Sequence, residues 1–93
     1  MINKNILKIR KKLDRLDNYL LNLIKKRQHL VNQVLKNKKY KKEIVDKKRI
    51  TVIMRNIKKK SISKKIDPEI TKTIWLSMIK AFIEYEYRNF KKK

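Results

Sequence analysis

NILKIRKKLDRLDNYLLNLIKKRQHLVNQVLKNK, residues 5–38, decides the fold. Apolar residues recur at Ile6, Ile9, Leu13, Leu16, Leu20 and Leu23, then at Leu30 and Val34. Steps of three and four make a seam for packing helix against helix. The slot after Leu23 holds Arg27, and three turns further along the same face comes Lys38. A cation on a packing seam is expensive unless an anion meets it. The bland explanation is a long side chain whose stem packs while its head reaches water. The functional explanation is an anion site inside a helical bundle. These two residues alone favour the bland one.

Composition narrows the choice. The chain has 93 residues, no cysteine, no glycine, one proline (Pro68) and one histidine (His29). That excludes a disulfide framework, a zinc centre or a Cys-His triad within one chain, and a glycine-rich phosphate loop. No metal and no cofactor are expected. No apolar run approaches a membrane span, and the opening residues run straight into the seam, so a cytoplasmic protein is expected. Lys and Arg number 29 against 8 Asp and Glu, a net charge of +21. Nucleic acid is the obvious partner for such a charge. However, the cations are overwhelmingly Lys, spread over the whole chain, whereas planar recognition of phosphates and bases favours Arg. The abundance of Ile and Asn beside Lys points to a codon bias. A solvated surface with no specific nucleic-acid partner is expected.

The periodicity predicts an all-α domain spanning residues 1–93, with one long and two shorter helices. The first covers about residues 5–39 and would be roughly 50 Å long. Two shorter helices of the same chain cannot cover it, whereas an antiparallel second copy could. The second covers about 44–58, with Val45, Arg49, Val52, Ile53 and Ile57 inward. A Lys- and Ser-rich linker is expected over 59–66. Asp67-Pro68-Glu69 then starts the third helix, to about residue 90: a cap, a proline at the first helical position and an acid at the positive end of the dipole.

The third helix carries a second anomaly. Trp75, Ile79, Phe82, Glu86 and Phe90 form an apolar stripe with Glu86 as its sole carboxylate. Glu86 either tilts outward, pairs with a cation of the first helix, or faces an anion pocket as a carboxyl group that can donate when protonated. On a continuous helix Arg27 and Lys38 share a face within about 20° and lie about 16 Å apart, a span that two long side chains could close on a small dianion. Arg10 is about 25 Å from Arg27 along the helix and could join only from a partner chain.

These residues resemble the all-helical (AroQ-type) chorismate mutases, over nearly the whole chain from Ile6 to Phe90. The likeness rests on Arg10, Leu13, Leu16, Asp17 and Leu20, then Arg27 and Lys38 on one helix. It continues with Asp46-x-x-Arg49 opening the second helix and with Ile74-Trp75-x-x-Met78-Ile79-x-x-Phe82-Ile83-x-x-Glu86 on the third. The resemblance implies an intertwined homodimer that rearranges chorismate to prephenate, on the route to phenylalanine and tyrosine, without cofactor. It implies that Arg27 and the Arg10 of the partner chain bind the substrate carboxylates. Lys38 and Glu86 would flank the ether oxygen, and Asp46 and Arg49 would lie near the ring hydroxyl. Two positions depart from the family pattern. Ile50 stands where many relatives have Glu, and Phe82 where many have a small polar residue, so the pocket is less polar and binding of the hydroxyl is open. These departures keep isochorismate–pyruvate lyase, a related helical dimer, as the alternative. A basic helical nucleic-acid-binding module is the alternative from another class.

Overall fold

The computed structural model describes residues 3–91: three α-helices and a short 3-10 turn, with no strand among the described residues. Helix α1 spans Lys4–Lys36, the turn Lys41–Glu43, α2 Lys47–Ser63 and α3 Pro68–Asn89. The chain divides into two compact units, Met1–Val31 and Asn32–Lys93. The first is most of α1. The second holds the last turn of α1, the 3-10 turn, α2 and α3.

In the first unit, the side chain of Asn3 accepts a hydrogen bond from the Ile6 amide at 2.9 Å and so caps α1. The apolar seam then stands open: Ile6, Ile9, Leu13, Leu16, Leu20, Leu23 and Leu30, with Val34 just beyond the unit, are each between 42% and 60% exposed. A stripe of that length left in water is a large unfavourable hydration term.

Helix α1 stops three residues short of the expected position 39, and Lys38 lies beyond its end. The last turn tightens, with amides of Asn37 and Lys38 bonding the carbonyls three residues back, Val34 at 3.0 Å and Leu35 at 3.1 Å. The Asn37 side-chain amide donates to the Gln33 carbonyl at 2.8 Å. The next two amides, of Lys39 and Tyr40, donate to the Glu43 carboxylate at 2.7 and 3.1 Å. One carboxylate thus takes up donors that a continuing helix would use itself. Those bonds, from Tyr40 first and Lys39 second, hold the Glu43 carboxyl below its ordinary titration range.

Helix α2 begins at Lys47 because Asp46 caps it, accepting from the Arg49 amide at 3.0 Å. Val45 and Arg49 are exposed, not inward as the periodicity predicts, and Val45 precedes the helix. The linker expected over 59–66 is mostly helix, because α2 continues to Ser63. Lys is a good helix former, and Ser61 is held in place by burial. Its hydroxyl lies 2.6 Å from the Ile57 carbonyl and 2.7 Å from the Thr71 hydroxyl of α3. This buried bond ties α2 to α3 at their connected ends.

The connection itself is a Schellman turn. The Ile66 amide reaches back to the Ser61 carbonyl at 2.9 Å, and the Lys65 amide to Ile62 at 3.1 Å. The residue in the left-handed position is Lys65, φ 59°, where glycine usually stands. Helix α3 then starts on Asp67, whose side chain accepts from the Glu69 amide at 2.9 Å, with Pro68 in the first turn. In the second unit Leu35 and Ile44 are the buried apolar residues, and Trp75, Met78, Ile79, Phe82 and Ile83 are half-buried.

Two outcomes are expected. Lys65→Gly removes a side chain from a backbone region that disfavours it and should stabilise the fold by about 0.5–1 kcal/mol in thermal melting. A lower melting temperature would show that the Lys65 side chain does more than occupy the turn. Glu43→Ala should lower stability at neutral pH. Because the folded carboxyl titrates lower than in the unfolded chain, its stabilisation is complete above the unfolded value and is lost as pH falls through the folded one. The gap between wild type and variant should therefore close on acidification. A gap independent of pH would rule out the carboxylate as its source.

Candidate active site

Within the second unit the segment leaving α1 meets the C-terminal end of α3. The Lys38 ammonium donates to Glu86 Oε1 at 3.0 Å and lies 3.4 Å from the Ile44 carbonyl oxygen. The two side chains are only 17% and 9% exposed. Both anomalies of the sequence, a cation past a seam and an acid on an apolar stripe, therefore end on each other. Such a pair loses much of its Coulomb gain to desolvation. What it provides is a fixed ammonium and a fixed carboxyl in a largely dry place.

The surroundings are arranged by α3. Phe82 and Tyr85 meet edge to face, ring centres 6.4 Å apart at 81°. The Tyr85 hydroxyl donates to Asn32 Oδ1 at 2.7 Å. Neither Tyr85 nor Asn32 stands out in the sequence. They are 53 residues apart, and no local periodicity marks such a pair. Asp46 is exposed and engaged as the cap of α2, and Arg49 supplies the capped amide while its side chain is exposed. Ile50 and Phe82 are half-buried. Arg10 and Arg27 lie in the first unit, the former exposed and the latter half-buried.

The second unit thus brings Lys38 and Glu86 together, and joins Asp46 to Arg49 through the helix cap. The expectation that Lys38 continues the Arg27 face of an unbroken helix is corrected by the early end of α1. Lys38 reaches Glu86 from a turn. A separate cavity of about 370 Å³ lies between the C-terminal half of α2 and the start of α3, with Met54, Ile57, Pro68 and Thr71 in its walls. It is remote from Glu86 along α3. Among the described residues no group of acids and histidines could hold a metal, and no helix is long and apolar enough to cross a membrane.

Residues 9–87 match the family described as chorismate mutase type II. No curated protein and no solved structure matches the chain.

Proposed function

The chain belongs to the chorismate mutase type II family, and from that premise we propose that it converts chorismate to prephenate. The observation that carries the reading is the part-buried Lys38–Glu86 pair, 3.0 Å apart, in a chain of this family. The reaction is an intramolecular rearrangement: the ether C–O bond breaks while a C–C bond forms, and no external reagent enters the balance. An enzyme accelerates it by holding the compact reactive conformer and by stabilising negative charge growing on the ether oxygen. Lys38 supplies a charged donor to that oxygen. Glu86 approaches it from the other side and holds the ammonium in place. In the unliganded site the two groups hold each other; in the working site the ether oxygen stands between them.

Arg27 and the Arg10 of a second copy bind the two substrate carboxylates, for which a guanidinium fork is well shaped. The support for a second copy is the open seam. Covering each of its side chains contributes on the order of 1 kcal/mol or more, and an antiparallel α1 has the same length and spacing. Asp46 and Arg49 stand at the start of α2, near the ring hydroxyl, with Ile50 and Phe82 as apolar walls. The protein acts in the cytoplasm on a small dianion. The family match favours this reading over the lyase and nucleic-acid alternatives.

The test is the purified protein with chorismate and, separately, isochorismate. Chorismate should yield prephenate without added cofactor, and pyruvate release from isochorismate with no prephenate formed would favour the lyase. Glu86→Ala removes the partner of the Lys38 ammonium and should lose most of kcat on chorismate. Glu86→Gln keeps a polar group of the same shape beside Lys38 and should retain more of kcat than Glu86→Ala. A kcat of Glu86→Ala equal to that of wild type would remove Glu86 from the chemistry.

Arg10→Ala and Arg27→Ala should each lose most activity, because each leaves a substrate carboxylate unpaired in a dry site. Mixing the two inactive proteins under conditions of subunit exchange should restore part of it, since one site of a mixed dimer has both arginines. No recovery after demonstrated exchange would show that the site is not shared.

A further inference from the structure

Two consecutive residues of α3, Tyr85 and Glu86, reach two points of the segment leaving α1. The Tyr85 hydroxyl bonds Asn32 Oδ1 at 2.7 Å, and the Glu86 carboxylate meets the Lys38 ammonium at 3.0 Å. From this two-point attachment we infer that the Tyr85–Asn32 hydrogen bond positions Glu86 against Lys38, and that Tyr85 is a positioning residue for turnover. The inference rests on the function proposed above.

A single contact between two elements leaves them free to pivot about it. A second, six residues away along one element and about 100° around the other, fixes both the slide and the roll of α3. The Lys38 end has little stiffness of its own. Lys38 lies past the last helical residue and is held by i−3 bonds and by the turn behind it. Asn32, by contrast, lies four residues before the end of α1, with helical backbone on both sides. The stiffer of the two anchors is therefore the neutral one. It is also the one that substrate leaves intact. An ether oxygen entering between Lys38 and Glu86 separates the ion pair, whereas the Tyr85–Asn32 bond persists.

The tyrosine ring is itself aimed. Phe82, one turn earlier on α3, stands edge to face with it. With the ring constrained, the hydroxyl has little freedom, and 2.7 Å is an optimal O–H···O separation. A shift of about 1 Å at reacting groups can cost orders of magnitude in rate, so a bond of modest strength can have a large effect on turnover.

Tyr85→Phe keeps the ring and deletes the hydroxyl. Asn32→Leu keeps the approximate shape and deletes the acceptor. Each should lower kcat roughly three- to tenfold, the scale of one neutral hydrogen bond, with KM changed less than about twofold. The double variant pairs two apolar groups and should recover melting temperature, yet keep the low kcat of the singles instead of multiplying their losses. A second measurement needs no substrate: the ¹H–¹⁵N signal of the Lys38 ammonium, assigned by its loss in Lys38→Gln. In Tyr85→Phe that signal should move toward those of exposed lysines.

A kcat of Tyr85→Phe within twofold of wild type, losses that multiply in the double variant, or a kcat that recovers together with the melting temperature would each overturn the inference. If wild type does not turn over chorismate, the proposed function fails on its own, and the Lys38 signal alone then decides: unmoved in Tyr85→Phe, it refutes the positioning.

Discussion

An ammonium and a carboxylate held together largely out of water are a poor way to stabilise a protein. The Lys38–Glu86 pair gives up the hydration of two charges for one contact, and an apolar pair of the same shape would serve packing at least as well. The surrounding structure nevertheless converges on it. Glu43 gathers the amides after α1, Ile44 places its carbonyl beside the ammonium, and Tyr85 ties α3 to Asn32 next to it. Removing either charge would leave the other poorly solvated, at a cost of up to several kcal/mol. The arrangement is therefore stiff in composition as well as geometry.

The second constraint is area. A chain of this size buries a modest fraction of its surface, and here Leu35 and Ile44 are the buried apolar residues among those described. Polar links do much of the positioning instead. Ser61 and Thr71 join α2 to α3 at one end of that pair of helices, and the caps Asp46 and Asp67 set where each begins. These links specify a geometry more than they supply stability, since a hydrogen bond made on folding replaces one to water.

The three helices were legible because apolar spacing of three and four survives an extreme composition. The start of α3 was legible because Asp67-Pro68-Glu69 combines three independent signals. Lys38 and Glu86 were legible as violations, charges in slots where periodicity demands a hydrocarbon. The helix ends were not. Without glycine the usual stop signal is missing, so α1 ends on the Asn37 side chain and on a carboxylate seven residues beyond Lys36, and α2 ends on a lysine in a left-handed turn. Lys59–Ser63 reads as a linker by composition and is helix because Ser61 has a buried partner in Thr71. The Tyr85–Asn32 bond was invisible for a different reason: it depends on where α3 meets residues 32–36 within the second unit, which no single window of sequence encodes.

The open seam of α1 also bears on how fast two copies can meet. It is flanked by Lys8, Lys11, Lys12, Arg15, Lys25 and Lys26, with Asp14 and Asp17 as the acids on that stretch. Two such surfaces repel each other before their apolar residues touch. At low ionic strength the repulsion extends tens of ångströms, whereas at physiological salt it fades over about 8 Å. Dissolved ions thus act as a gate on any approach of one such surface to another: dilute buffer holds them apart, and added salt lowers the barrier.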